Sequence, residues 1–338
     1  KEKIGGAEQV VYYLKSLLEE KNHNVKIWTS DLDSQKESFF SIFNLKYYFK
    51  LKFFLKNNHF DIVHIHKINS ILSHSILLLL KKRVILHIHD FSYVCPKLGV
   101  TYDYKICPNY MKKYSLHKKC MQYKERKINF FYDFFKVLRL TLNRFLLKKY
   151  VDHFICPSKK LKELMQKTLK IPDDKITYLP NFIEFNENKK IDFNKINSKQ
   201  FLFIGRISKE KGIDVAIKGI NLLFKKEKLR DIKLNIIGDG PELENLRKIV
   251  INLKLDENIK FLGRINNKEL DQYYQESCAI LMPSVCLENI PIVALESMKN
   301  KKPIIASNVG GYPDLIEQAK NGYLFEIGDY REMAKYIK

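Results

Sequence analysis

The stretch Ser277–Gly311 reads SCAILMPSVCLENIPIVALESMKNKKPIIASNVGG, and it decides the fold class. Ala279–Met282 is a short apolar run that predicts a buried strand, and Pro303–Ala306 predicts a second one. Between them, Pro291–Met298 carries apolar residues at helical spacing, and its proline suits the first helical turn. Gly310 then predicts a loop with positive φ or close backbone approach. Strand, helix and strand in this order predict one right-handed crossover of a parallel sheet.

The same stretch holds two glutamates, Glu288 in the loop before the helix and Glu296 within the helix. The helix N-terminus, near Asn289–Ile292, offers backbone N–H groups and the positive end of a dipole, which together suit an anion. The two carboxylates would be about 12 Å apart if both were helical, too far for a glycoside hydrolase pair. A long ligand with a diphosphate between hydroxyl-bearing parts, such as a nucleotide sugar, fits this spacing. Two solvated glutamates on a helix surface are the alternative.

Four short motifs carry a resemblance to a known family: Glu288–Pro291 (ENIP), Leu295–Met298 (LESM), Pro303–Ala306 (PIIA) and Gly310–Asp314 (GGYPD). Together they resemble the E-x7-E signature of glycosyltransferase family 4, and the resemblance extends over most of the chain. It implies a retaining transferase of the GT-B architecture, with two Rossmann-like α/β domains whose parallel sheets face each other across a cleft. The strand–helix alternation in both halves predicts the same α/β class independently.

The expected domains are an N-terminal acceptor domain at 1–185 and a C-terminal nucleotide-sugar donor domain at 200–338. The polar segment 186–199, rich in Asn and Lys, is the predicted linker. In the family, a strand precedes the loop that Gly5 and Gly6 form here, and helices follow the last strand. The first strand and the C-terminal helices are therefore expected to be missing from this chain.

Predicted strands of the first half include Val25–Thr29, Asp61–His66 and Arg83–His89. The glycine pair Gly5 and Gly6 runs into a helix, so backbone N–H groups there can approach a phosphate or a sugar of the donor. A plain tight turn is the alternative for this pair.

Histidines alternate with apolar residues at the ends of two of these strands. We interpret His64, His66 and His87 as structural residues of the strands. His89 stands at the end of its strand, where ligands of open α/β sheets bind. The resemblance implies that His89 lies close to the donor sugar and the reacting centre.

The C-terminal half carries the residues that the resemblance assigns to the donor. Arg206 and Lys211, in a GR…EKG loop, are expected on the diphosphate, and the backbone at Arg264 is expected near the base. The amides of Asn289 and Ile290 add to the anion site. Glu288 is expected to bind sugar hydroxyls or to position the donor, and Glu296 to accept hydrogen bonds from the ribose.

These roles predict a reaction in which His89, Glu288, Arg206 and Lys211 act in catalysis. Cations and amides stabilise the charge of the departing nucleoside diphosphate, so no metal and no cofactor beyond the nucleotide sugar is expected. No carboxylate is placed as a double-displacement nucleophile. The resemblance implies retention by same-face attack, assisted by the leaving phosphate.

The 338-residue chain is long enough for two domains with full cores, and its formal net charge is +22. Lysine far outnumbers arginine, and the basic residues are spread along the chain without a nucleic-acid module. The charge therefore favours an anionic membrane surface or anionic substrates over a specific nucleic acid. Lys124–Tyr150 predicts a helix that either faces the core with snorkelling lysines or rests on anionic lipid.

Cys95, Cys107, His117 and Cys120 are spaced too loosely for a typical zinc site, so free thiols in a basic loop are favoured over metal. No run approaches the roughly 18–20 apolar residues of a membrane span, and no signal peptide opens the chain. A cytoplasmic protein, peripheral on the inner face of the membrane, is the expectation.

The predicted function is transfer of a sugar from a nucleotide-diphosphate sugar to a saccharide or lipid-linked acceptor, in the assembly of a surface polysaccharide such as lipopolysaccharide or capsule. Two alternatives stay open. A sugar-nucleotide epimerase shares the architecture and would release free sugar and nucleotide without an acceptor. A non-catalytic, basic membrane-binding protein with an inactive GT-B core would bind lipid but no nucleotide sugar.

Overall fold

The computed structural model describes residues 6–29, 44–68, 72–81, 83–94, 101–102, 105–106, 130–184 and 192–338. The chain divides into two compact units. The first ends at Pro180, and the second comprises Asn181–Lys338 together with Thr101–Ile106. Each unit contains a parallel sheet with helices packed against it.

The secondary structure of these residues alternates strand and helix in both units. The strands are β1 (Ile62–Ile65), β2 (Arg83–His87), β3 (Thr101–Tyr102), β4 (Lys105–Ile106), β5 (His153–Cys156), β6 (Ile176–Tyr178), β7 (Asn197–Ile204), β8 (Lys233–Ile237), β9 (Ile259–Gly263), β10 (Ser277–Met282), β11 (Ile304–Ser307) and β12 (Gly322–Phe325). The helices are α1 (Gly6–Glu20), α2 (Leu45–Lys56), α3 (Phe130–Tyr150), α4 (Lys159–Leu169), α5 (Ile213–Glu227), α6 (Leu243–Asn252), α7 (Asn267–Glu276), α8 (Ile292–Lys299), α9 (Tyr312–Leu315) and α10 (Tyr330–Ile337). Short 3-10 turns span His74–Leu79, Asp173–Lys175, Phe193–Lys195 and Lys209–Lys211.

The sheet of the first unit has the order β1-β2-β5-β6, and all its strands are parallel. Helix α4 covers it with a buried apolar face that includes Leu161, Leu164 and Met165. The Ser158 hydroxyl caps this helix by accepting a hydrogen bond from the Leu161 N–H at 3.2 Å. This packing places the carboxyl ends of the strands, and the histidines that they carry, at one edge.

The strand predicted at Val25–Thr29 is wrong, because the chain there is irregular. No strand of the described ranges pairs with it, so ladder hydrogen bonds are not formed. A side-chain contact holds the segment instead, since the Lys26 ammonium donates to the Asn58 Oδ1 at 2.7 Å. Trp28 lies beside Phe54, with ring centroids 6.5 Å apart.

The sheet of the second unit has the order β12-β11-β10-β7-β8-β9 and is also parallel throughout. The chain proceeds from β7 outward through β8 to β9, and then crosses to β10 on the other side of β7. The strand order therefore reverses between β7 and β10. In open α/β sheets the carboxyl end of such a reversal is where ligands bind.

The deciding stretch folds as predicted, with β10, α8 and β11 in that order. Ile280 pairs with Ile304 and Met282 with Ala306, so the two strands are parallel neighbours. One boundary differs from the expectation, because β7 begins at Asn197, within the segment predicted as linker. Its first three residues are exposed and polar, so their sequence resembles that of a loop.

Among the helices of these ranges, none combines the length and the apolar character that crossing a bilayer requires.

A glycine in the deciding stretch provides a test of the fold. Gly310 has φ +60°, and a Cβ there would lie 1.8 Å from the carbonyl oxygen of Glu288. Gly263 has φ +72° with open space around the same position. We expect Gly310→Ala to lower the free energy of unfolding by about 3–5 kcal/mol and Gly263→Ala by only about 1–2 kcal/mol, the cost of the left-handed backbone alone.

Thermal unfolding followed by circular dichroism compares the two variants directly. The matched pair separates backbone strain, which both share, from the steric clash, which only Gly310→Ala introduces. Equal melting temperatures for the two variants would contradict the close approach of the two loops.

Candidate functional site

The candidate site lies at the carboxyl edge of the second sheet. Because the strands are parallel, the loops that follow β7, β8, β9, β10 and β11 all emerge at that edge. These loops carry most of the residues expected to bind a donor: Arg206, Lys211, Arg264, Glu288, Asn289 and Ile290. Glu296 lies within α8, which follows the loop after β10.

An ion pair joins two of these loops. The Lys211 Nζ donates to the Glu288 Oε1 at 2.6 Å, and both side chains are largely buried. Burial by itself lowers the pKa of Lys211, but the charge of Glu288 and the hydrogen bond outweigh it, so the pKa is raised. The Ser284 hydroxyl donates to the same carboxylate oxygen at 3.2 Å. Lys211 is therefore a fixed positive charge at neutral pH.

Three hydrogen bonds to backbone carbonyls hold the loop after β10, two from backbone N–H groups and one from a side chain. The Val285 N–H donates to the Glu210 carbonyl at 2.9 Å, and the Gly311 N–H donates to the Glu288 carbonyl at 2.8 Å. In the third, the side-chain Nδ2 of Asn181 donates to the Ile290 carbonyl at 2.7 Å. The position of Glu288 is thus set by residues distant in sequence.

The N-terminus of α8 follows this loop. The first hydrogen bond of the helix runs from the Ala294 N–H to the Pro291 carbonyl at 3.0 Å. The N–H groups of Ile292 and Val293 precede it, and a helix has no internal acceptors for such groups. The side chains of Asn289 and Ile290 are buried, so backbone groups are what this segment offers to an anion.

The two arginines differ in their surroundings. Arg206 is exposed and forms no ion pair with a residue of the described ranges. Arg264 lies 3.3 Å from the Asp239 carboxylate through its Nη2. The Asp239 carbonyl accepts from the Ile207 N–H at 3.0 Å, so the loops after β7 and β8 are also joined.

Glu296 has its own partner, apart from the ion pair. The buried Tyr274 hydroxyl donates to the Glu296 Oε2 at 3.0 Å. Burial raises the pKa of the Glu296 carboxyl, although the hydrogen bond from Tyr274 and the charge of Lys299 act in the opposite direction. The two glutamates of the deciding stretch therefore occupy separate polar environments.

Sequence reasoning did not identify Tyr274, Ser284, Tyr312 or Asn181 as members of the site. Ser284 lies 3.4 Å from the hydroxyl of Tyr312 as well as beside Glu288. Asn181 follows Pro180 after the last strand of the first half, where the chain enters the second unit. Its place at a strand end was a usable signal, whereas Tyr274 resembles an ordinary core aromatic of a helix.

The first unit brings its four strand-end histidines together. Nδ1 of His66 and Nε2 of His89 are hydrogen-bonded at 2.9 Å. His87 is buried, and His89 is half-buried at the end of its strand. Burial lowers the pKa of His89 to about 4, against the opposing effect of Asp90. His89 is therefore neutral at pH 7.

Other residues singled out from the sequence are placed only in part. Gly6 begins α1. Gly5 and the segment with Cys95, Cys107, His117 and Cys120 lie outside the described residues.

The fold and the edge loops define the class of protein. The crystal structure of HepE from Anabaena in complex with UDP has a TM-score of 0.64 and 16% sequence identity, over 100% of this chain and 86% of that one. This likeness shows that the two α/β units form a GT-B fold.

Comparison of the sequence with known families then settles the membership. Residues 4–187 match the family described as Glycosyltransferase Family 4, and residues 184–338 match Glycosyl transferases group 1. The chain belongs to glycosyltransferase family 4.

Two curated relatives illustrate the similarity. An uncharacterized glycosyltransferase of Haemophilus influenzae is 31% identical over 196 residues, which is 58% of this chain and 53% of that protein. The amylovoran biosynthesis glycosyltransferase AmsK of Erwinia amylovora is 29% identical over 143 residues, which is 41% of this chain and 35% of that protein. The chain thus spans about half or less of the length of these relatives.

The environment of Glu296 predicts a dependence of stability on pH. Because its folded pKa is raised above the ordinary value of 4.5, the carboxyl contributes stability below pH 4.5 that is lost as the pH rises through the folded pKa. Glutamine stays neutral and still accepts from Tyr274. We expect Glu296→Gln to be more stable than the wild type at pH 7, with the difference vanishing at pH about 4.

Urea unfolding at several pH values measures this difference. Glu244→Gln is the control, because Glu244 is exposed and its ion pair with Arg247 at 3.1 Å contributes only a few tenths of a kcal/mol, about the size of the change expected at any pH. A Glu296→Gln variant that is less stable than the wild type at pH 7 would contradict the burial penalty.

Proposed function

We propose that the chain is a retaining glycosyltransferase that moves a sugar from a nucleotide-diphosphate sugar to a saccharide acceptor. The observation that carries the proposal is the convergence of a buried, charged Lys211, the Glu288 carboxylate and the N-terminus of α8 at one sheet edge. A diphosphate needs fixed positive charge and N–H donors, and a sugar needs hydrogen-bond acceptors for its hydroxyls. This edge offers both.

In this proposal the diphosphate is bound by positively charged side chains, and its binding requires no metal ion. Lys211 is held in place by Glu288, so it contributes a positive charge that does not need to be ordered when the donor binds. Arg206 is exposed at the same edge and can close on the phosphates with its planar guanidinium. The amides of Ile292 and Val293 complete the set.

The hydroxyl-bearing parts of the donor are assigned to the two glutamates. Glu288 binds the sugar or positions it through Lys211, and Glu296 accepts hydrogen bonds from the ribose. Further support comes from buried polar atoms that lack a partner in the structure. Three of them belong to the second unit: Ser208 Oγ, Ser307 Oγ and Asn181 Oδ1. Ser208 and Ser307 follow or end strands at the carboxyl edge, where a polar ligand would satisfy such groups.

The chemistry is departure of a nucleoside diphosphate from an anomeric carbon. Positive charge around the leaving phosphate stabilises the negative charge that develops in the transition state. Retention follows if the acceptor attacks from the face that the phosphate leaves, with the phosphate oxygen taking the acceptor proton. His89 is assigned to the reacting centre by the family resemblance, and it lies at the ligand-binding edge of its own sheet.

The donor and the acceptor are proposed from the relatives. HepE of Anabaena was solved in complex with UDP-glucose, which makes a UDP-sugar the first donor to test here. AmsK is an amylovoran biosynthesis enzyme, which supports a growing or lipid-linked polysaccharide as the acceptor.

Two lysines of one turn provide a matched test. Lys211 and Lys209 both lie in the 3-10 turn after β7. The Lys209 side chain is 71% exposed, and its ion pair with Glu242 is longer, at 3.6 Å, than the pair of Lys211 with Glu288. We expect Lys211→Ala and Arg206→Ala to lower turnover by about two or more orders of magnitude, because each removes charge stabilisation of the leaving group. Lys209→Ala should keep nearly full turnover.

Donor binding is measured first, by the rise in melting temperature with UDP-, GDP- and ADP-sugars, since a ligand of the folded state alone stabilises it. Glu296→Gln should weaken that binding about 10–100-fold by removing a charged acceptor. Turnover is then measured with the donor so found. Equal loss in the Lys209 and Lys211 variants, or none in either, would refute the assigned diphosphate site.

We further propose that the first unit binds an anionic bilayer surface through α2. This helix buries Tyr47 and Leu51 and leaves an apolar stripe exposed at helical spacing: Leu45 (59%), Phe49 (57%) and Phe53 (69%). Four lysines flank the stripe and no acidic residue lies in the helix: Lys46, Lys50, Lys52 and Lys56. Exposed aromatic residues between lysines are typical of an interfacial helix.

Helix α3 has a second exposed apolar face. It buries Leu147 in the core while Leu138, Leu142 and Phe145 are exposed, with Lys148 and Lys149 in its last turn. The core-facing interpretation describes the face with Leu147, and the exposed face is the one that the interfacial interpretation would place on lipid. A lipid-linked acceptor would be presented at such a surface.

Vesicle sedimentation tests this surface. We expect the Phe49→Ser/Phe53→Ser double variant to bind vesicles that contain anionic phospholipid at least about 10-fold more weakly, because two aromatic side chains no longer enter the bilayer interface. Ile251→Ser is the control, since Ile251 is 62% exposed on α6 in the second unit. Unchanged binding of the double variant would exclude α2 as the contact.

A further inference from the structure

Four histidine side chains share one face at the carboxyl ends of β1 and β2. His64 and His66 alternate with Ile65, and His87 and His89 alternate with Ile88, so that each pair points to the same side of the sheet. The rings are stacked closely: the centroids are 4.4 Å apart for His64 and His66, and 4.6 Å apart for His87 and His89. Across the strands, the His66 and His87 rings lie 5.2 Å apart.

Several nitrogens of this histidine cluster are buried without a hydrogen-bond partner. They are Nε2 of His64 and both ring nitrogens of His87. A buried polar atom without a partner costs roughly 1–3 kcal/mol, and three on two adjacent side chains is an unusual concentration. The cluster thus has unused donor atoms in a place where water does not reach them.

We propose that His64, His66 and His87 bind a divalent transition-metal ion. One nitrogen from each of the three residues lies within 4.8 Å of the others. At a tetrahedral zinc site the nitrogens, each about 2.0–2.1 Å from the ion, lie about 3.4 Å apart. The stacked rings of the cluster must therefore turn toward the ion when it binds. A set of three imidazoles is a donor set for zinc, nickel, copper or iron, and not for magnesium or calcium, which prefer oxygen.

His89 is not one of the three proposed ligands but is hydrogen-bonded to one of them, His66. Its Nε2 is hydrogen-bonded to Nδ1 of His66, which leaves Nε2 of His66 available to the ion. A hydrogen bond of this kind fixes the tautomer and the orientation of a histidine ligand, as outer partners do at known metal sites.

This site is independent of the proposed diphosphate site, although His89 is also the residue assigned to the reacting centre. The histidines belong to the first unit, whereas the residues assigned to the diphosphate belong to the second. A metal at the histidine cluster and a diphosphate bound by Lys211 and Arg206 can each be correct without the other.

The test measures binding of Zn²⁺ and Co²⁺ to the full chain. Isothermal titration calorimetry at pH 7 should give one Zn²⁺ per chain for the wild type, and His64→Gln and His87→Gln should each weaken it at least about 100-fold. His153→Gln is the matched control, because His153 lies in β5 of the same unit and is hydrogen-bonded to Thr177 at 2.8 Å. It should bind Zn²⁺ as the wild type does.

Folding of each variant is checked through Trp28, the single tryptophan of the chain, which lies in the first unit. Should both glutamine variants fail to fold, the absorption spectrum of the Co²⁺-loaded wild type decides. Ligand-field bands without thiolate charge transfer indicate histidine ligands and support the proposal. Three results would each overturn it: thiolate charge transfer in the Co²⁺ spectrum, no Zn²⁺ binding by the wild type, or wild-type Zn²⁺ affinity in folded His64→Gln and His87→Gln.

Discussion

The ion pair between Lys211 and Glu288 is the contact on which the second unit's site depends. The two residues are 77 positions apart in sequence, and their side chains meet at 2.6 Å because β7 and β10 are neighbours in the sheet. Either charge alone at this depth would carry a desolvation cost, so each residue stays charged there only because the other is present. A ligand phosphate that approaches Lys211 meets a charge already desolvated and held in place. The same pairing therefore serves the fold and the proposed chemistry.

The alternation of strand and helix was predictable because apolar runs bounded by proline and glycine are strong local signals. Pro283, Pro291 and Pro303 mark the boundaries of β10, α8 and β11 closely. The strand predicted at Val25–Thr29 failed because a strand also needs a neighbour to pair with, and that information is not local. The start of β7 was missed for a related reason. Its first residues are exposed and polar, and they form a strand only because they pair with a neighbouring strand, as Asn197 pairs with Ser277.

The candidate site was predictable as far as motifs reach. Lys211, Glu288 and Glu296 were proposed as site residues because their residue types and spacing resemble a family pattern, and the fold brings Lys211 and Glu288 into contact. The neighbouring residues were not found. Tyr274 and Asn181 are defined by contacts between separate segments, and Ser284, although only four residues before Glu288, is not distinguished by any pattern in the sequence. The Asn181 amide bonds the Ile290 carbonyl over 109 residues of sequence. No spacing rule predicts such a contact, because it depends on how the chain enters the second unit.

The buried polar atoms without partners connect stability with ligand binding in both units. In the first unit they include nitrogens of His64 and His87, and in the second they include the hydroxyls of Ser208 and Ser307. All four residues lie at or just beyond the carboxyl ends of parallel strands, the edge where such sheets bind ligands. Each of these atoms carries a desolvation cost while it lacks a partner, and the two proposed ligands would supply that partner. A ligand that fills these positions therefore stabilises the folded state by more than its own contacts with charged groups.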